Sequence, residues 1–184
     1  MKRDQAISLL RTYIKNERML NHCLASEAVM RALAARLGQD QDKWGLAGLL
    51  HDLDVELVNA DPRSHGLETA RILTEQGVDP EIVDAIRMHN EEATGQERTT
   101  RFQHALAAGE TVTGLIVATT LVYPERKLSV VRPQSVIKRM KEKAFAASVR
   151  RESILECEKA GVPLEEFVGI AISAMSGISD QLGL

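Results

Sequence analysis

The sequence predicts an all-α protein, built as a compact bundle of many helices, and three observations support this fold class. Hydrophobic residues make up 44% of the 184 residues and aromatic residues only 3%, a composition that favours helices packed through aliphatic side chains. Apolar residues recur at helical spacing along most of the chain. Only five prolines are present, so few positions interrupt a helix. No repeat, low-complexity segment or flexible linker divides the chain, and we expect residues 1–184 to form a single domain.

Each of the first three predicted helices has a recognisable start, stop or apolar pattern. Asp4 is a candidate N-cap in front of an apolar face with helical spacing. Gly38 ends the second helix, as glycine commonly does. The third helix contains a near-continuous Leu-Ala-Gly-Leu-Leu segment, which predicts burial on most sides. The predicted ranges are about 4–14, 21–37 with His22 at its start, and 42–53.

Three further helices are predicted before the C-terminal third of the chain. Ser64 is a candidate N-cap, which places His65 in the first turn of the helix that follows. Pro80 is suited to the first position of the next helix. A polar loop over 93–100 precedes a long helix that ends before a Tyr-Pro pair, since the residue before proline disfavours helix. The predicted ranges are about 64–76, 80–89 and 101–122.

The C-terminal segment, from about residue 126 to 184, differs from the rest because lysine and arginine dominate its first part, between Arg126 and Arg151. Two helices are predicted within it, over about 151–160 and 164–182, separated by a Gly-Val-Pro break. We expect this basic segment to pack on the core formed by the preceding helices.

Composition argues against several classes of function. A formal net charge of −3 does not predict general attraction to nucleic acid or to an anionic membrane. The two cysteines match neither a CxxC pair nor a secreted disulfide framework, and no signal core or membrane-spanning segment is present. We therefore expect a cytoplasmic protein with no membrane partner and no clear nucleic-acid partner. Association into homo-oligomers is left open by the sequence.

The adjacent residues His51 and Asp52, at the end of an apolar run, are the clearest candidates for chemistry. Imidazole and carboxylate together suit divalent cations such as Mn, Fe, Ni, Co or Zn, whereas calcium prefers oxygen ligands alone. The alternative is a histidine that is ion-paired or capped by its neighbour. The remaining candidate ligands lie far apart in sequence, so only tertiary packing can bring them to the doublet; they are His22, His65, His89 and Glu110.

This order of groups resembles the HD superfamily of metal-dependent phosphohydrolases, and in particular its small single-domain HD or HDIG-type members. The family pattern is a first histidine, a His-Asp doublet and a later acid, with two more histidines before the acid in the two-metal branch. His22, the His51–Asp52 doublet, His65 and His89 match that order. The segment 113–116 is similar to the helix that carries the last acid. The similarity covers nearly the whole chain and implies an HD-domain-like bundle with the basic C-terminal segment packed on its metal-binding core.

The resemblance implies one or two divalent metal ions and hydrolysis at phosphorus by a metal-activated water. One ion is assigned to His22, His51, Asp52 and Glu110, and the other to Asp52, His65 and His89. There are two departures from the family pattern: Glu110 stands where relatives usually carry Asp, and Asn90 where some two-metal members have a second histidine. The fifth histidine, His104, has no place in the pattern and is assigned no role.

Four residues are assigned roles beyond simple ligation. Asp52 is predicted to bridge the ions and is catalytic in that sense. Asp54 is predicted to act as a general acid or to hold a metal-binding histidine, although a capping role explains it equally well. Lys138 and Lys141 share one side of a predicted helix and are assigned to the anionic part of the substrate, with a solvated basic face as the alternative.

Three functions are compatible with these features. The leading one is a metal-dependent phosphohydrolase for a small phosphate ester or a nucleotide-like molecule. The second is a di-iron oxygenase of the HD type, because ligand order alone does not separate activation of oxygen from activation of water. The third is a non-catalytic HD-like module that binds a ligand or a partner protein, for which Glu110 in place of Asp is the only indication.

Overall fold

The computed structural model describes residues 1–184 and contains helices but no strand, which confirms the predicted all-α class. A short 3₁₀ turn, Leu128–Val130, separates the N-terminal helices from the C-terminal ones. The α-helices are α1 (Arg3–Tyr13), α2 (Glu17–Leu37), α3 (Gln41–Leu50), α4 (Leu67–Glu75), α5 (Pro80–His89), α6 (Glu91–Thr94), α7 (Arg101–Leu121), α8 (Pro133–Met140), α9 (Arg151–Leu155), α10 (Leu164–Ser176) and α11 (Ser179–Leu182).

The two longest helices, α2 and α7, form the centre of the bundle. Helix α2 packs against α3, α7 and α10, while α7 also contacts α5, α8 and α9. One continuous cluster of 42 buried apolar residues runs from α1 to α11, so the C-terminal helices share the core of the N-terminal ones. No helix is both long enough and apolar enough to cross a membrane.

The close crossing of α2 and α3 depends on Gly48. A Cβ atom at this position would lie 2.5 Å from the backbone oxygen of Ser26, which is backbone and cannot move aside as a side chain would. The missing side chain therefore lets α3 approach α2 closely. This approach brings the end of α3, and His51 after it, against α2.

Three predicted helix starts differ from the structure. Helix α2 begins at Glu17 because the Asn16 side chain accepts a hydrogen bond from the backbone N–H of Arg18, so His22 lies in the second turn instead of at the start. The N-cap of α1 is Lys2, which leaves Asp4 inside the first turn. The predicted start of the second helix at residue 21 or 22 was therefore wrong by four or five residues, and the predicted cap of the first helix at Asp4 was wrong by two.

The third difference lies before α4. The predicted cap, Ser64, donates its hydroxyl to Asp61, and the N-cap is Gly66 at φ +87°. His65 consequently precedes the helix instead of lying in its first turn. Helix α3 ends at Leu50, and turns occupy residues 51–60 where the sequence predicted helix up to Leu53.

Candidate metal centre

Four histidine rings meet around the Asp52 carboxylate: those of His22, His65 and His89 line a cavity together with Asp52, and that of His51 lies buried behind it. His22 comes from α2, His51 directly follows α3, His65 precedes α4, and His89 ends α5. Since α2 to α5 are separate elements of the chain, the meeting point is set by helix packing and not by local sequence. His51 is fully buried and Asp52 is 7% exposed.

The first group of converging atoms comprises His22, His51 and Asp52. The Nε2 atoms of His22 and His51 are 3.0 Å apart. Asp52 places Oδ2 3.4 Å from His22 Nε2 and Oδ1 3.3 Å from His51 Nε2. All three ligand atoms lie within 4.8 Å of one another, a spacing at which one ion can contact all of them.

The second group comprises Asp52, His65 and His89. Oδ1 of Asp52 lies 3.1 Å from His65 Nε2 and 3.7 Å from His89 Nε2, and the two Nε2 atoms are 3.1 Å apart. Gly66 allows this closeness, because a Cβ there would lie 3.0 Å from Cε1 of His89. Asp52 is therefore common to both groups, the position that a bridging carboxylate occupies between two ions.

The Nδ1 atom of each ring is bound on the side away from the cavity. His51 Nδ1 lies 2.8 Å from the carbonyl oxygen of Gly48, and His89 Nδ1 lies 2.5 Å from that of Ile86. His65 Nδ1 lies 2.8 Å from Oδ1 of Asp54. Carbonyl and carboxylate oxygens only accept hydrogen bonds, so each of these Nδ1 atoms carries the proton.

The same orientation holds for His22, whose Nδ1 lies 2.9 Å from Oγ1 of Thr113. The Thr113 hydroxyl donates to the carbonyl oxygen of Glu110 at 2.7 Å, and its oxygen therefore accepts from His22 Nδ1–H. In the neutral rings all four Nε2 lone pairs lie on the side opposite these acceptors, close to Asp52 and to one another. Lone pairs only 3.0 and 3.1 Å apart need a positive charge between them, and the donor set thus fits divalent cations.

The charge states of His51 and Asp52 favour cation binding. Complete burial lowers the pKa of His51 to about 3, which keeps the imidazole neutral. Burial alone raises the pKa of Asp52, but the neighbouring His51, His65 and His89 outweigh it and hold the pKa well below its usual range. Neutral imidazole and ionised carboxylate are the forms that bind metal ions.

His65 differs because it lies between two carboxylates. Burial alone lowers its pKa, but Asp52 on one side and Asp54 on the other raise it to about 10. The pKa of Glu110 is raised by burial, which disfavours its ionised form. A cation bound in the pocket would lower both pKa values, because its positive charge favours the deprotonated form of each ligand.

Asp54 lies behind His65 and not in the cavity. Its Oδ1 accepts from His65, and its Oδ2 accepts from the backbone N–H groups of Gly66 and Thr69 at 2.8 and 2.9 Å. The side chain has no solvent exposure, and these hydrogen bonds lower its pKa although burial opposes them. Of the two roles predicted for Asp54, this placement favours holding the His65 ring over donating a proton to a substrate.

Glu110 and Asn90, the two residues that depart from the family pattern, both lie at the cavity. Glu110 lines the cavity, but its Oε2 is 3.9 Å from His22 Nε2 and its Oε1 accepts from the Thr111 hydroxyl. It stands beside the first group rather than within it. Asn90 donates to the backbone oxygen of His65 at 2.9 Å and so ties the turn that carries that histidine to the end of α5.

The cavity around these groups measures about 310 Å³. Part of its wall comes from Asn90 and from Thr111 and Gly114 of α7, and the C-terminal segment contributes the rest, namely Ser148, Val149, Arg150 and Ser153. Arg150 is the only lysine or arginine among the lining residues.

Lys138 and Lys141, which the sequence assigned to substrate binding, do not line this cavity. Helix α8 packs on the core through Val136, and both lysines are exposed. Of these three basic residues, only Arg150 lies at the cavity wall. The prediction was based on a run of lysine and arginine residues, and such a run does not show which of them faces the cavity.

The loop that presents Arg150 is built around the next residue, Arg151. The Arg151 guanidinium donates to the backbone oxygens of Ala146 and Val149 at 2.7 and 2.6 Å, and also to those of Glu142 and Phe145. Ala146 adopts φ +44° in this loop. Because these partners are backbone atoms, no side-chain pattern in the sequence indicates the arrangement.

Replacing Thr113 with Val tests the hydrogen bonding around His22. Valine keeps the shape of the side chain but leaves His22 Nδ1 without its acceptor, and we expect metal affinity to fall by about 10- to 100-fold. Titration against a chelator of known affinity measures the change. Thr120→Val is the matched control, since this buried hydroxyl bonds only to the backbone of its own helix, at Ile116. Equal affinities in the two variants would show that Thr113 does not hold the ligand.

Comparison with known proteins identifies one family. Residues 19–128 match a family model described as HD domain. The match covers more than half of the chain and includes all six candidate ligands. No curated protein and no solved structure matches the chain.

Proposed function

Because the chain belongs to the HD domain family, whose members form a superfamily of metal-dependent phosphohydrolases, we propose that it hydrolyses a small phosphate ester or a nucleotide-like substrate. The observation that carries this proposal is the convergence of four imidazole Nε2 atoms on the carboxylate of Asp52, which lines an open cavity.

Two sets of residues would hold the metal ions. His22, His51 and Asp52 form one set, with Glu110 beside it, and Asp52, His65 and His89 form the other. Such ions, when bound, activate a water molecule and neutralise the charge that builds on the phosphate oxygens. The nitrogen and oxygen donors suit Mn, Fe, Ni, Co or Zn.

The chain itself orients the ligands and the substrate. Asp54, Thr113 and the backbone oxygens of Gly48 and Ile86 fix the rings, so that little reorganisation is needed when a cation enters. Arg150 supplies a guanidinium at the cavity wall, a group that binds phosphate oxygens through two parallel hydrogen bonds. A cavity of about 310 Å³ is at the lower end of the range for ligand sites and holds only a small group around the phosphate.

Arg150→Gln is expected to raise KM for a phosphate ester about tenfold, because the variant loses a charged donor pair. The change should be smaller in kcat than in KM. Lys138→Gln and Lys141→Gln are the matched controls, since both lysines are exposed and outside the cavity. Steady-state kinetics that show impaired lysine variants and a normal Arg150 variant would contradict this assignment.

The hydrolase proposal is tested by loading the purified protein with each candidate metal and measuring release of p-nitrophenol from p-nitrophenyl phosphate and its bis ester. We expect turnover with at least one metal and loss of turnover on chelation. Bound metal without hydrolysis of any ester would contradict the proposal. Consumption of dioxygen by the iron-loaded protein, again without hydrolysis, would support the oxygenase alternative.

A further inference from the structure

A second, more apolar cavity of about 600 Å³ adjoins the metal cavity. The two cavities share His22 and Gly114 in their walls. We call the second cavity the α2–α7 groove. Its apolar walls are Ala25, Val117, Ala118, Leu121, Leu182 and Leu184.

The α2–α7 groove follows from the way the two central helices run. His22 meets Thr113, and Met30 lies where a Cβ of Gly109 would be, so α2 and α7 are antiparallel. On α7, the positions 110, 114, 117, 118 and 121 fall on one side of the helix. At 1.5 Å per residue this side extends about 16 Å from Glu110 at the metal centre to Leu121.

Gly114 is the point where the two cavities meet. A Cβ at this position would lie 3.3 Å from Cγ2 of Val149, in the wall of the metal cavity. The glycine therefore leaves open the space through which a molecule held at the metal centre can extend into the α2–α7 groove.

The far end of the groove exposes an apolar side chain. Leu121 is 49% exposed, although it lies on the same side of α7 as the buried part of the groove. An apolar surface that continues from a candidate catalytic cavity fits the apolar part of a substrate. In the metal cavity, by contrast, Val149 is the only hydrophobic residue among those that line the wall.

We propose that the α2–α7 groove binds the hydrocarbon chain of the substrate, so that the preferred substrate is an amphiphilic phosphate ester with an apolar chain. The proposal rests on the proposed function for the phosphate end, which lies in the metal cavity beside Arg150. The part of α7 that lines the groove, from Thr113 to Leu121, is about 12 Å long at 1.5 Å per residue, close to the length of a medium alkyl chain.

Calorimetric titration with ethyl, butyl, hexyl and octyl phosphate, and with the matching alkanols, tests the proposal without any requirement for turnover. Burial of each methylene is expected to tighten binding by about three- to fourfold until the groove is filled. Octanol should bind as well, because the groove exists without the phosphate site. Affinity that is independent of chain length would overturn the proposal.

Two substitutions locate the effect. Ala118→Phe fills the groove, and Leu121→Asp places a carboxylate in it at an exposed position where folding is not at risk. Both should reduce the ratio of octyl to ethyl phosphate affinity at least tenfold. Ala35→Phe, the same change at an exposed position of α2 outside the groove, should leave that ratio unchanged.

The outcomes separate this inference from the hydrolase proposal. Chain-length-dependent binding without hydrolysis supports the groove and contradicts the hydrolase. Hydrolysis without any effect of chain length on binding supports the hydrolase proposal and contradicts the groove. If the protein is instead a dimer that Leu121→Asp dissociates, and the monomer shows no preference for long chains, the groove is a contact between copies of the chain and the proposal is overturned.

Discussion

Replacement of Asp52 with Asn is expected to remove both metal ions and to lower kcat/KM for a phosphate ester by at least about a thousandfold. Asp52 is the only residue common to both groups of converging atoms. The amide is nearly isosteric but neutral, and its NH₂ group occupies one of the two positions from which oxygen faces the Nε2 atoms. Elemental analysis counts the metal ions per chain, and steady-state kinetics measure the loss of activity.

Asp180→Asn is the matched control for this change. Asp180 is exposed in the first turn of α11 and lies outside the metal cavity. It should retain the full metal content and activity. An Asp52→Asn protein that still holds two ions per chain would contradict the role of this carboxylate as the shared ligand.

Replacement of Arg98 with Met is expected to produce the largest loss of stability, about 3–5 kcal/mol in the free energy of unfolding. The Arg98 side chain is 2% exposed and pairs with Glu156 through Nε and Nη2, at 2.8 and 3.0 Å. Glu156 also accepts from His104, at 2.8 Å. Methionine fills a similar volume but leaves the Glu156 carboxylate buried without its main partner. Chemical denaturation measures the change.

The same arginine connects the core to the metal cavity. Its Nη1 donates to the backbone oxygen of Met88 at 2.9 Å, at the end of the helix that carries His89, and its Nη2 pairs with Glu91 at 2.9 Å. Glu91 in turn pairs with Arg150 at 3.3 Å. The Arg98 variant should therefore also weaken metal binding by His65 and His89.

Arg71→Met is the control for Arg98, since Arg71 also pairs with two glutamates but on the surface, where its side chain is 55% exposed. Water already solvates this group, and little change in Tm is expected. Equal destabilisation of the Arg71 and Arg98 variants would contradict the importance of burial. The same buried glutamate accounts for His104, to which the sequence assigned no role: its ring hydrogen-bonds to Glu156 in the core.

The sequence predicted the fold class and singled out the His51–Asp52 doublet for a physical reason, whereas the other candidate ligands were implied by the resemblance to the HD superfamily. Apolar residues at helical spacing report the buried sides of helices, and a histidine or aspartate within such a stretch, like His51 and Asp52, is conspicuous because burial of a polar group needs a partner. The match of the chain to the HD domain family agrees with the resemblance inferred from these residues.

Other features could not be predicted because they depend on backbone atoms or on exact helix ends. The acceptors for His51 and His89 are the carbonyl oxygens of Gly48 and Ile86, and every residue offers a carbonyl. The cavity position of Arg150 depends on a loop folded around the next arginine. The sequence alone does not show that Lys138 and Lys141 point away from the metal cavity, because this depends on which side of α8 packs on the core.

The central claim is that helix packing gathers distant histidines around Asp52 into a site for divalent cations. It is tested most directly by anomalous scattering from crystals of untagged protein soaked with manganese or zinc. The account predicts two peaks, one contacting His22, His51 and Asp52 and the other contacting Asp52, His65 and His89. Crystals that show no peak in this cavity at saturating metal, or peaks only at other positions, would contradict it.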